Sequence, residues 1–161
     1  NKTYPLPQDY NPGVNPEAKA ALDKMFAAAK AEQNLKMWVC SGFRSYTVQK
    51  NLYNSYVRRD GAKAADRYSA RPGYSEHQTG LAFDINYADY RFKNTAEAKW
   101  LAANAYKYGF ILRYPEGKES ITGYMYEPWH YRYVGVELAQ KVHASGLTLE
   151  EYFGITSVYA Q

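Results

Sequence analysis

Apolar residues recur at helical spacing soon after the start of the chain. Residues 1–15 carry three prolines and a glycine, and we predict that they lie extended on the surface. Asn15-Pro16 then provides a capping side chain followed by proline at the first helical position. The apolar residues that follow share one helical face: Ala18, Leu22, Met25, Phe26 and Ala29. We therefore predict a first helix with this face buried.

The rest of the chain alternates between short apolar runs and amphipathic stretches. The apolar runs predict strands at 37–40, 81–86, 110–113 and 129–134. Spacing and caps predict a second helix from Ser45 to about Arg59, with Val48, Leu52 and Tyr56 on one side. The further predicted helices are one from Asn94 or Thr95 to Gly109, one over 136–145 before Gly146, and a short one opened by the capping box Thr148–Glu151. The polar segment 61–80 is predicted to be a loop, and a loop of this length is more often functional than idle.

This irregular order of elements indicates the fold class. Helices and short strands alternate without the long crossovers that a doubly wound parallel sheet requires. We expect an α+β domain, in which helices flank a small, largely antiparallel sheet. The 161 residues fit a single domain over 1–161, and no internal repeat or linker divides them.

Charge and hydropathy limit the possible partners of the chain and the ways in which it could attach to a membrane. There are 20 basic and 16 acidic residues, and the net charge of +4 favours an anionic environment without specifying one. No basic cluster exceeds the pair Arg58–Arg59, so we expect no nucleic-acid partner. No run of about 20 apolar residues is present, so attachment to a membrane would need an anchor outside this chain. A start at Asn1 without a signal-peptide pattern is what an excised domain would show.

Two residue types leave alternatives open. Cys40 is the single cysteine, and its neighbours Trp38 and Val39 favour a buried strand, where a thiol acts as a small apolar side chain rather than a nucleophile. Tyrosine occurs 18 times. These rings could line a ligand groove, or they could fill half-buried strand positions.

Two histidines and an aspartate are the strongest candidates for chemistry. His77 opens the stretch that leads across Gly80 to Asp84, and His130 lies near the last predicted strand. Asp84 interrupts an apolar strand, where an unpaired carboxylate would cost several kcal/mol. A metal ion or an arginine could meet it. Two imidazoles and a carboxylate form a recurring catalytic zinc set, and they suit Zn²⁺ better than Mg²⁺ or Ca²⁺.

Glu127 is the candidate for a general base. Pro128 disrupts the regular strand register before His130, so Glu127 can lie beside the metal and take a proton from the attacking water. The alternative is an ordinary surface salt bridge. His143, in the last turn of a predicted helix, is expected to be structural.

These segments together resemble the VanY family of metallo-carboxypeptidases. The shared motifs are Ser-x-His-x-x-Gly-x-Ala-x-Asp at 75–84, Glu-x-x-His at 127–130 and Ser-Gly-Phe-Arg-Ser at 41–45. The related proteins are the L,D-specific LdcB enzymes, the VanX dipeptidases and, more distantly, the hedgehog domain. The resemblance implies the LAS/hedgehog-like peptidase fold, with His77, Asp84 and His130 as zinc ligands and Glu127 as the base.

The same resemblance implies further roles and a substrate. Arg44 would steady the oxyanion or hold the terminal carboxylate of the peptide, and Ser75 and Gln49 would hydrogen-bond its C-terminal end. The expected function is release of the C-terminal D-alanine from peptidoglycan stem peptides by a monomeric enzyme of the bacterial envelope. A D,D-carboxypeptidase is favoured. An L,D-carboxypeptidase of the LdcB type and a non-catalytic zinc-stabilised module that binds wall peptides are the alternatives.

Overall fold

A small sheet lies at the centre of the molecule. The computed structural model describes residues 4–159. Its strands are β1 (Val39–Ser41), β2 (Ala82–Ile85), β3 (Phe110–Leu112) and β4 (His130–Tyr133). They are joined in the order β1-β2-β4-β3, and all neighbouring pairs are antiparallel. The predicted α+β fold with an antiparallel sheet is therefore confirmed.

Seven α-helices surround this sheet within residues 4–159. They are α1 (Pro16–Gln33), α2 (Tyr46–Asp60), α3 (Ala62–Ala65), α4 (Ala96–Asn104), α5 (Glu119–Thr122), α6 (Val136–Ser145) and α7 (Leu149–Phe153). The caps of four of them follow the sequence. Ser45 caps α2 by accepting a hydrogen bond from the backbone of Val48. Asn15 accepts a hydrogen bond from the backbone of Ala18, Thr95 caps α4, and Thr148 and Glu151 form the predicted capping box.

The main core lies between α1, α4 and one face of the sheet. Ala18, Leu22, Met25 and Ala29 of α1 are fully buried, as their spacing predicts. They pack in one cluster with residues of the strands and α4: Phe83, Ile85, Phe110, Tyr131, Trp100 and Leu101. The opposite side of β2 and β4 is thereby left to carry polar side chains.

The N-terminal segment up to residue 15 lies against the loop that precedes β2. The backbone of Leu6 donates to the carbonyl of Gly73, and Asn15 donates to that of Gly80. The side-chain amide of Gln78 in turn donates to the carbonyls of Pro7 and Tyr10. The segment has no helix or strand over residues 4–15, and residues 1–3 of the predicted extension lie outside the described part.

One expectation about burial is wrong. Cys40 is exposed, because β1 is the edge strand and its pairing with β2 is irregular between Val39 and Ser41. The second helix buries Gln49 and Tyr53, whereas Val48 is 52% exposed. Leu52 and Tyr56, which share that side of α2 with Val48, line an open groove.

None of the helices in residues 4–159 has the length and apolar character needed to cross a bilayer.

Candidate active site

Three side chains from two strands and a loop meet at one end of the sheet. Asp84 in β2 lies directly opposite His130 in β4, because the two strands pair in that register. His77 comes from a 3₁₀ turn over Glu76–Thr79, which ends at the left-handed Gly80 and leads straight into β2. All three side chains are buried, and one possible ligand atom from each lies within 4.8 Å of the other two.

The two imidazoles present nitrogens to the same carboxylate. Nε2 of His77 lies 3.2 Å from Oδ2 of Asp84, and Nδ1 of His130 lies 3.1 Å from Oδ1. Nδ1 of His77 lies 2.7 Å from the carbonyl oxygen of Gly42. A carbonyl oxygen only accepts, so this Nδ1 carries the proton and Nε2 keeps its lone pair.

That lone pair shows that a cation fits this cluster. Nε2 of His77 is buried and forms no hydrogen bond with any residue between 4 and 159. A buried polar atom left in this way normally has a partner. The three ligand atoms are two nitrogens and a carboxylate oxygen, a donor set that suits Zn²⁺.

Burial and their mutual contacts shift the pKa values of His77, Asp84 and His130. Burial lowers the pKa of His77. Burial also acts to lower the pKa of His130, but hydrogen bonds to Asp84 and Glu76 outweigh it and raise the pKa to about 9. Burial acts to raise the pKa of Asp84, but the two histidines hold it well below the usual range. Asp84 is therefore an anion at neutral pH.

Glu127 and Arg44 flank the cluster. Oε2 of Glu127 lies 3.5 Å from Nδ1 of His130, in the turn that Pro128 imposes before β4. Nη2 of Arg44 lies 3.4 Å from Oδ2 of Asp84 on the other side. Of the two partners that the sequence offers for Asp84, the arginine is present, and the histidines around Asp84 leave room for a cation as a prediction.

Ser75 and Gln49 have contacts of their own within the protein. Oγ of Ser75 accepts the backbone N–H of His77 at 3.3 Å and so caps the turn that carries His77. Gln49 is 1% exposed. Its oxygen accepts from Nη1 of Arg44 at 2.9 Å, and its nitrogen donates to the carbonyl of Ala70 at 2.7 Å. Both residues border the groove, and their contact with a substrate stays a prediction.

Glu76 is a residue that the sequence reasoning missed. Its carboxylate is buried and lies 3.3 Å from Nε2 of His130. Arg113 and Arg132 bind the same carboxylate at 2.7 and 3.1 Å, and Arg113 also makes two hydrogen bonds to Glu150. Burial acts to raise the pKa of Glu76, but the two arginines hold it well below the usual range. The available signal was an acidic residue next to His77 inside the motif.

The cluster lies at the bottom of an open groove of about 610 Å³. Five tyrosines line this groove: Tyr56, Tyr68, Tyr90, Tyr114 and Tyr124. The groove explanation for the abundant tyrosines is therefore confirmed for these five. His143 is remote from the groove and stacks on Tyr106 at 3.8 Å between ring centres, which agrees with a structural role.

A groove that ends in a buried His–Asp–His cluster, beside a carboxylate and an arginine, defines a metallohydrolase type of site. A sequence profile of the VanY family, described as D-alanyl-D-alanine carboxypeptidase, matches residues 11–136. The chain belongs to the VanY family.

Individual relatives agree with this assignment. YodJ of Bacillus subtilis (strain 168), which is named as a carboxypeptidase, is 44% identical over 95% of this chain. The chain spans 65% of the length of YodJ. The solved structure of the LD-carboxypeptidase LdcB is 54% identical, with a TM-score of 0.87 over 98% of this chain and 85% of LdcB. A mutant of the D,D-pentapeptidase VanY in complex with Zn(II) is 36% identical, with a TM-score of 0.82 over 95% of this chain and 96% of VanY.

Proposed function

We propose that this chain is a zinc-dependent carboxypeptidase that releases the C-terminal D-alanine of peptidoglycan stem peptides. The observation that carries the proposal is the buried cluster of His77, Asp84 and His130 at the bottom of an open groove, with Glu127 beside it. A bound Zn²⁺ would be held by these three side chains and would supply Lewis acidity toward the peptide carbonyl. Membership of the VanY family and the Zn(II) complex of the VanY relative support this choice of metal.

The chain's own residues have distinct tasks in the reaction. The Glu127 carboxylate takes a proton from the attacking water and delivers it to the nitrogen of the departing D-alanine. The guanidinium of Arg44 remains charged and presents several donors in one plane, so it holds either the terminal carboxylate or the developing oxyanion. Gln49 keeps that guanidinium in place through its 2.9 Å hydrogen bond. Ser75 contributes by fixing the turn that carries His77.

The substrate of first choice is the pentapeptide stem that ends in D-Ala-D-Ala. The description of the family and the VanY relative both name D,D-chemistry. A wall peptide is reached only outside the cytoplasm, so we place the enzyme in the bacterial envelope, secreted or anchored. We propose a monomer that recognises no nucleic acid.

A second candidate is an L,D-carboxypeptidase that acts on the tetrapeptide stem. The observation that favours it is sequence identity: the LdcB structure is 54% identical to this chain, and the VanY structure is 36% identical. Both activities release D-alanine and need the same metal site. They differ in the residue that precedes the scissile bond, which the groove must accept in one configuration or the other.

The decisive experiment compares two synthetic stem peptides, one ending in L-Lys-D-Ala-D-Ala and the other in L-Lys-D-Ala. We expect the zinc-loaded protein to release D-alanine from the pentapeptide, and we expect a chelator to abolish release. Cleavage confined to the tetrapeptide would establish the second candidate. Release that survives the chelator would remove the metal from the mechanism. Zinc binding without release from either peptide would identify a binding module instead.

The role of Glu127 is tested by Glu127→Gln and Glu127→Ala. Each variant should still bind zinc, because the three proposed ligands are intact, while turnover falls by about 10²- to 10⁴-fold. Glu116→Gln provides the matched control, since Glu116 is an exposed residue paired with Lys93 and should leave turnover unchanged. Near-normal turnover in Glu127→Gln would show that another group is the base.

A further inference from the structure

His130 has a buried carboxylate on each side of its ring. On one side Nδ1 faces Oδ1 of Asp84 at 3.1 Å, and on the other side Nε2 faces Oε2 of Glu76 at 3.3 Å. Only one of the two nitrogens can hold a metal while the ring is neutral, and the other must carry the proton. The contact that each nitrogen makes therefore decides which one is free for the metal.

Glu76 is held rigidly in place for this contact. Nε of Arg113 donates to Oε1 of Glu76 at 2.7 Å, and Arg132 lies 3.1 Å from the same oxygen. The two arginines thus bind one carboxylate oxygen and leave Oε2 to face His130. Arg113 is itself fixed by two hydrogen bonds of 2.7 and 2.8 Å to Glu150 in α7.

We infer that Glu76 is a positioning residue for the metal site. Its Oε2 accepts the N–H at Nε2 of His130, so the ring is locked with the Nδ1 lone pair toward Asp84 and the metal. A carboxylate that accepts from a ligating histidine fixes both the tautomer and the orientation of the ring, and it raises the basicity of the ligand. For His77 the Gly42 carbonyl serves the same purpose through the opposite nitrogen. The two histidines are thereby held in opposite tautomers.

This inference rests on the proposed zinc site, and its test uses zinc affinity rather than peptidase activity. The measurement is competition with a chromogenic chelator on wild type, Glu76→Ala, Glu76→Gln and Glu150→Gln. We expect Glu76→Ala to bind zinc about 10- to 100-fold more weakly. Glu76→Gln, which keeps an acceptor oxygen, should lose clearly less. If Glu76→Ala fails to fold, Glu76→Gln is compared with Glu150→Gln and should still bind zinc more weakly.

Glu150→Gln is the matched control for a purely structural effect. It weakens the pairing of the same buried Arg113 but keeps an acceptor oxygen for it and leaves the Glu76 carboxylate unchanged, so zinc affinity should stay within about threefold of wild type even if thermal stability falls. Equal zinc affinities in wild type and Glu76→Ala would overturn the inference. A loss in Glu150→Gln as large as that in Glu76→Ala would overturn it as well, because general disturbance of the network would then explain both.

Nitrogen NMR of the zinc-loaded wild type gives an independent readout. We expect the His130 ring to show a proton on Nε2 and the metal on Nδ1, and the His77 ring to show the reverse. A metal bound to Nε2 of His130 would refute the inference. A wild-type chain that binds no zinc at all would refute the proposed function itself, so the two failures are distinguishable.

Discussion

Arg113 is buried next to the proposed metal site, and its ion pairs allow a prediction about stability. The exposed pair of Arg67 and Glu119 provides the control. Arg113 is 4% exposed, and it makes three hydrogen bonds of 2.7, 2.8 and 2.7 Å to Glu76 and Glu150. Replacing it by methionine keeps much of its volume but removes the cation from between two buried carboxylates. Loss of one partner from a buried ion pair costs about 3–5 kcal/mol, because the remaining charge is left in a poorly solvating environment.

That loss is large beside the total stability of a domain of this size. Single domains are stable by about 5–15 kcal/mol, so Arg113→Met should remove about a fifth or more of the free energy of unfolding. For a chain of 161 residues, about 2–4 °C of melting temperature corresponds to each kcal/mol. We therefore expect a drop of roughly 10 °C, which thermal and urea unfolding with the metal removed from all samples would measure.

An arginine–glutamate pair at the surface serves as the control for the buried pairs of Arg113. Arg67 binds Glu119 through two hydrogen bonds of 2.6 and 2.9 Å, yet the side chain of Arg67 is 50% exposed. Water replaces such a partner, so Arg67→Met should cost only a small fraction of the loss at Arg113. If both variants lost the same stability, burial would not set the strength of these pairs, and the reasoning would be refuted.

Further predictions concern pH and backbone geometry. Zinc must displace the proton of His130, whose pKa is raised to about 9, so zinc affinity should fall about tenfold for each unit of pH lost between pH 8 and 7. His77, with a lowered pKa, should release no proton in that range. Chelator competition that shows no pH dependence would contradict the statement about His130, and a loss of about a hundredfold for each unit of pH would contradict the statement about His77. Gly80→Ala should lower the melting temperature well beyond Gly146→Ala. Both positions have positive φ, but only at Gly80 would a Cβ lie 2.0 Å from a backbone oxygen, that of Gly13, and equal losses would argue against this contact.

Local signals in the sequence were sufficient for five of the helices and for the cluster. The short α3 lies within the segment 61–80 that was predicted to be a loop, and the short α5 was not predicted. Asn15 with Pro16, Thr148 with Glu151 and the Gly146 stop carry their information within a few residues, so caps and ends could be predicted. The two histidines and Asp84 could be grouped because their chemistry is unusual in apolar surroundings. The grouping in space agrees, while the roles of the individual residues stay predictions.

Contacts between distant segments account for what the sequence did not predict. The register that sets Asp84 opposite His130 depends on pairing between strands that lie 46 residues apart. In the sequence Glu76 and Arg113 look like ordinary charged surface residues. The partners that make their burial possible lie far along the chain, 37 residues apart for the pair itself and 54 for Glu76 and His130. The buried side of α2 could not be predicted for a related reason. Gln49 is buried and holds Arg44, and no periodic pattern of apolar residues reveals such a polar requirement.

The N-terminal segment has a practical consequence for anyone who trims this domain. The match to the family begins at residue 11, and α1 begins at Pro16, so either position looks like a natural place to cut. A cut at residue 11 would delete the carbonyls of Pro7 and Tyr10 that anchor Gln78, one residue from His77. A shortened protein could thus keep every recognisable motif and still hold its metal poorly.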